Sequence, residues 1–225
     1  RIRLTDAAKY DGAAPINAFG PTPPVAGTPG LFTYRNDDGR TAEDDADSVV
    51  LLSFSVDYNN PANSLLSTYS SFLSAPFSSL ICDEGGYFQT CVTVPGNNPA
   101  LMATTTFIMD KPVYRRFADH ESILVYHTVN AGTPGIAGIR WHEIRRSTGN
   151  WELFQEGTYS PDATHRFFPS MNMNGKGQIA LVFNAASANL WPSIRVAGRN
   201  DGDPSGSLPA DETTIANGPG YGTFS

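Results

Sequence analysis

The chain has 225 residues, and its 15 Lys and Arg against 22 Asp and Glu give a net charge of −7. With no basic run longer than Arg115-Arg116 or Arg145-Arg146, this balance argues against a phosphate-tracking surface and so against a nucleic-acid partner. The 21 Gly, 17 Pro and 40% hydrophobic residues point to many short strands and turns, hence an all-β fold, and no run of about 18 apolar residues is present to span a membrane.

In chain order, LFTYR (31–35), DSVVLLSFSVDY (47–58) and the Ser-rich 64–73 read as strands of a first unit over 31–93. The stretch 64–77 has the best helical spacing in the chain, but its serines and Pro76 predict strand and loop instead. A second unit, 105–160, takes FIMDKPVYRRF (107–117) as its inner strand, then 121–130 and 137–146, with WELFQEGTY (151–159) outermost. A third, 165–217, runs through HRFFPSMNMN (165–174), GQIALVFNAA (177–186) and PSIRVAGR (192–199), with ETTIANG (212–218) as its fourth strand. The apolar runs at 47–58, 121–130 and 177–186 are bounded by Gly, Asn and Asp, as strands buried on both faces are.

The pair Ile-Arg recurs at Ile139-Arg140 and Ile194-Arg195, 55 positions apart, while the strand starts Ile123 and Ile179 lie 56 apart. A period of that length with several strands per unit is the pattern of propeller blades. The chain therefore reads as one partial β-propeller domain over 1–225, about three four-stranded blades and a fragment of a larger propeller. The sequence begins at Arg1 without Met or an apolar signal core, which predicts either a processed product or, in preference, a piece cut from a longer chain. Three blades cannot close a ring, so the expected partners are the remaining blades of the parent chain or another subunit.

Cys82 and Cys91 bracket the polar loop DEGGYFQT, which predicts a disulfide and an oxidising compartment, with a buried reduced pair as the alternative. Their spacing, without a nearby His, does not suit zinc. Asn-x-Ser/Thr is absent, which favours a bacterial source, and the location expected is secreted, extracellular or cell-surface.

Several stretches resemble large secreted bacterial proteins, mostly of unknown function, with repeats like those of the sialidase-type β-propeller. The matching residues are Val56-Asp57-Tyr58 with Asn60-Pro61-Ala62-Asn63-Ser64, then Pro95-Gly96, Asp119-His120-Glu121-Ser122 and Gly138-Ile139-Arg140-Trp141. Gly157-Thr158-Tyr159, Pro192-Ser193-Ile194-Arg195, Gly198-Arg199 and the lead-in Gly20-Pro21-Thr22-Pro23-Pro24 complete the likeness, which spans about 20–216. Departures stand at Val196-Ala197 and His142, where that family tends to have other residues.

The resemblance implies a site in which arginines bind a substrate carboxylate beside a Tyr/Glu pair, and Arg140, Arg195, Arg199, Tyr126 and Glu121 are the residues that could fill it. Against this, Arg140 and Arg195 fall on a middle strand, on the face opposite Ile139 and Ile194, where a guanidinium can tie neighbouring sheets together. The Ser-x-Asp-x-Gly-x-Thr-Trp and Phe-Arg-Ile-Pro motifs of active sialidases are both missing. His120 beside Glu121 offers an acid/base pair or a hydrogen bond that fixes a turn. His127, His142 and His165 show no metal spacing, and no catalytic or metal-ligand residue is assigned. No cofactor is expected, although the acidic stretches 36–47 and 200–206 could hold Ca²⁺. Trp141, Trp151 and Trp191 could form a sugar-stacking platform or belong to the core.

The function expected is an extracellular or cell-surface scaffold or binding module, with carbohydrate or a surface protein as partner and without catalysis. The alternatives are a glycoside hydrolase or sialidase-like enzyme with catalytic residues in missing blades, and a self-assembling structural surface subunit.

Overall fold

The computed structural model describes residues 12–38, 46–82, 88–96, 98–104, 107–132 and 135–220. The described residues are all-β, with one short 3-10 turn at Pro61–Asn63. Two short strands, β1 (Ala14–Pro15) and β2 (Asn17–Phe19), are separated by Ile16 alone yet edge different sheets. After them come β3 (Gly30–Asn36), β4 (Ser48–Ser55) and β5 (Leu65–Leu73), then the hairpin β6 (Phe88–Val92) and β7 (Leu101–Thr104). The meander β8 (Val113–Arg116), β9 (Glu121–Asn130), β10 (Ala137–Arg146), β11 (Glu152–Tyr159) follows, and then β12 (His165–Met173), β13 (Ile179–Ser187), β14 (Leu190–Arg199), β15 (Ala210–Asn217).

Three larger sheets result. Sheet I has the order β1-β3-β4-β5, sheet II β11-β10-β9-β8-β2 and sheet III β12-β13-β14-β15. Pairing is antiparallel except that β2 runs parallel to β8, adding a fifth strand to a unit expected to have four. The inner strand expected over 107–117 narrows to Val113–Arg116. Pro112 has no N–H for a ladder, and Asp110 sits at φ 50°, which breaks the extended run before it. The sequence reading gave no strands to 94–104, where β7 pairs with β6.

Sheet II carries apolar side chains on both faces because it is covered on both. Ile123, Val125 and Ile144 pack with Val49, Leu51 and Phe72 of sheet I. On the other face Leu124, Tyr126, Ile139 and Trp141 meet Met171, Leu181, Phe183 and Ala185 of sheet III. These side chains are almost wholly buried, and burial of each Val, Leu, Ile, Met or Phe among them stabilises the fold by about 1.5–3 kcal/mol. Cys82 and Cys91 form the expected disulfide, which packs with Ile81, Val92, Ala137 and Phe167 in a smaller cluster around the hairpin. Among the described residues no helix is long and apolar enough to cross a membrane.

Candidate functional site

Side chains directly opposite in an antiparallel pair share a face. Arg140 lies opposite His127, on the face of sheet II that meets sheet I, and Arg195 lies opposite Phe183, on the face of sheet III that meets sheet II. Each arginine stands on the third strand of its meander and looks toward the preceding sheet. Each also has a threonine opposite it on the fourth strand, Thr158 and Thr214, with a glutamate two residues before, Glu156 and Glu212.

Those glutamates take the charge. Arg140 pairs with Glu156 and also donates to Thr158 Oγ1 at 3.2 Å, Ser74 Oγ at 3.0 Å and the Ala75 carbonyl at 3.2 Å. Arg195 donates to Glu212 Oε1 at 2.5 Å and to Ser193 Oγ at 3.3 Å. Arg199, four residues along β14 and so roughly 13 Å away, finds no carboxylate in these contacts. It donates instead to Gln155 Oε1 and to the carbonyls of Asp203, Pro204 and Ser207, closing the turn after β14. The three arginines do not converge on a common point.

Sequence reasoning missed Arg166, on β12, which is almost fully buried. It crosses the row Ala185 and Ser193 to reach Glu212 Oε2 at 2.7 Å, and it holds Asp162 at 2.9 Å. Tyr159 Oη donates to the same carboxylate at 3.1 Å, so a Tyr/Glu pair flanked by two arginines does exist, at residues other than those expected. Its chemistry runs against nucleophilic use. Burial, with the Glu212 charge beside it, pushes the Tyr159 hydroxyl up to about 12, so the phenolate is disfavoured. Burial alone would raise Glu212, but the bonds from Arg166 and Arg195 outweigh it and hold the carboxyl low. The signal for Arg166 was present only as a charged residue opening a strand, which reads as surface.

Glu121 and His120 point to different partners. Glu121 accepts from Tyr114 Oη and pairs with Arg146, whereas His120 Nδ1 lies 2.9 Å from Asp119 Oδ1 and its ring stacks on Phe117 at 4.5 Å. They do not form an acid/base pair with each other. Tyr126, buried against sheet III, donates to the Lys111 carbonyl at 3.0 Å, and burial pushes its hydroxyl up to about 12. His120 instead borders a polar cleft of about 550 Å³ at the rim of sheets II and III, shared with Asp119, Arg145, Asn150, Glu152 and Asp201. Arg145 is fixed there by Glu143 at 2.6 Å and by the Phe154 ring at 3.6 Å.

Asp37, Asp38 and Asp47 approach one another within 4.8 Å. Two of them are spent on the segment after β5: Asp37 accepts from Ser79 N and Oγ, and Asp47 from Phe77 N. The remainder of the acidic stretch, 39–45, lies outside the described residues. In 200–206, Asp203 accepts from Asn200 N at 2.6 Å as a turn residue does. Trp141 and Trp151 are core residues, and Trp191 packs beside the disulfide cluster, so the three do not form one platform. No known protein family, curated protein or solved structure matches the chain.

Proposed function

We propose that the chain contributes consecutive blades to an extracellular or cell-surface β-propeller and serves there as a scaffold and binding module, without catalysis of its own. The observation that carries this reading is the double Arg/Glu tie: the cations that an acid-binding enzyme would aim at substrate are spent between strands. Support for blades comes from sheets II and III, where the chain crosses each meander in order and passes from its last strand directly to the first strand of the next. Sheet III also exposes Ile194 and Ile215, at 43% and 57%, which further sheets of the parent chain would cover. The disulfide favours an oxidising location.

In this reading partners dock at the rim, where the cleft around His120 offers fixed donors and acceptors suited to the hydroxyls of a surface carbohydrate or to a surface protein. The test is to present the protein with a glycan array and with aryl glycosides and sialosides. Retention without release of product is expected. Hydrolysis lost on changing Arg195 or Tyr159 would overturn the reading. The exposed Ile194 and Ile215 favour one second reading, self-assembly through that face, which light scattering would reveal as oligomers.

A further inference from the structure

His127 and His142 are fully buried and stand side by side on the face of sheet II that meets sheet I, their rings stacked with centroids 5.9 Å apart. No side chain hydrogen-bonds either ring nitrogen of His127 or Nδ1 of His142, and only the backbone at Thr128 and at Val125 stands beside the two rings as a weak polar neighbour. A short strap, residues 74–80, lies over them. Ser74 Oγ sits 2.9 Å from His142 Nε2 and 2.7 Å from Glu156 Oε2, Ala75 N donates to Glu156 Oε1 at 2.8 Å, and the Phe77 ring packs on His127 at 4.9 Å. Beyond Phe77, the Ser78 carbonyl accepts from Asn130 N, and Ser79 is tied to Asp37. The strap thus joins sheet I to sheet II through the histidine pair.

The charges facing this pair make it intolerant of a proton. Arg35 comes from β3, 3.6 Å from Asp37, and Arg140 from β10; the nearest carboxylate, Glu156 on β11, lies 3.4 Å from His142 Nε2 but already receives Arg140, Ser74 and Ala75. Asp37 and Asp47 are engaged by the strap itself. Burial, then the Arg35 guanidinium, holds His127 well below its ordinary range, and burial with Arg140 brings His142 down to about 3.

We propose that the strap over 74–80 is an acid-sensitive latch between sheets I and II, shut while His127 and His142 are neutral and released when they take up protons in mild acid. The sign follows from linkage. Both groups titrate lower in the closed form than in the open one, so above about pH 6.5 neither form binds protons and the latch is indifferent to pH. Below that value the open form binds protons that the closed form refuses. Opening grows by about tenfold per pH unit for each histidine.

The test is amide hydrogen exchange at 74–80, corrected for intrinsic rates, at pH 7.5 and 5.0. For two histidines the opening constant is expected to rise about 1000-fold over that interval, and about 30-fold in His127→Phe, whose ring fills the same space without a proton site. Amides of β13 and β14 should stay protected, since His165, the other buried histidine, lies outside the latch at the Ala137 and Thr93 contacts. A rise equally large in His127→Phe, or none in the wild type, would overturn the proposal. Should His127→Phe fail to fold, wild-type ring resonances decide. The latch requires them to stay neutral at pH 6 and to shift only together with the strap amides, and independent titration would contradict it.

Discussion

Arg140 and Arg195 hold equivalent places in successive sheets, each on the third strand and each drawn to a glutamate that precedes its cross-strand threonine by two residues. The equivalence extends to direction, because both look toward the sheet that comes before. It is not complete in burial: the Arg140 side chain is 7% exposed and reaches Ser74 and Ala75 just after β5, while Arg195 is 21% exposed and shares Glu212 with Arg166. The first tie therefore binds sheet II to the strap that follows sheet I, and the second gathers two arginines on one carboxylate that also accepts from Tyr159 of sheet II.

Glu212 is the more exposed to loss. Glu212→Gln leaves the buried Arg166 with Asp162 as its remaining carboxylate, and a cost of about 3 kcal/mol is expected from urea midpoints near pH 7. Because the folded carboxyl titrates below its unfolded value of about 4.3, the wild type holds this advantage above that pH and loses it as pH falls further. The gap between wild type and variant should narrow in acid. A gap that is constant from pH 7 to 3 would contradict the assignment.

Gly157 is placed by packing. A Cβ built there would come within 2.0 Å of the Gly206 carbonyl, where β11 touches the turn that Arg199 closes. Gly157→Ala must push that turn away, and a loss of about 1–3 kcal/mol is expected. Backbone resonances of 203–208 should shift in the variant, and an unshifted turn with full stability would refute the contact.

Much of this was legible in the sequence. The apolar runs at 121–130 and 177–186 announce buried strands, and the Ile-Arg spacing leads to both ties, since strand periodicity and repeat length are properties of the chain itself. What could not be read is what depends on distant partners. Glu121 and His120 are neighbours in sequence, yet the pleat sends one to Arg146 and leaves the other on Phe117. Arg166 reads as a surface charge until Glu212, 46 residues later, is seen across the sheet. The parallel strand β2 carries no signal of its own, because its three residues gain their place only from β8.

The disulfide closes a short loop beside the hairpin. Changing Cys82 and Cys91 together to Ser should lower stability by about 2–3 kcal/mol, mainly through the freer unfolded chain. Reduction of the wild type should reproduce the loss. If oxidised and reduced protein unfold at the same urea concentration, the bridge contributes nothing to the fold.

The central claim, that the paired arginines build the scaffold and do not serve a site, is tested most directly by unfolding Arg140→Ala and Arg140→Lys in urea while measuring ligand retention by the same samples. Arg140→Ala is expected to lose about 3–5 kcal/mol, because Glu156 is left without its cation, and Arg140→Lys to recover part of it, since an ammonium cannot reproduce the planar fork that spans Glu156, Thr158 and Ala75. Ligand retention by the folded fraction should be unchanged. Unaltered urea midpoints with binding or turnover abolished would contradict the account and assign Arg140 to a site.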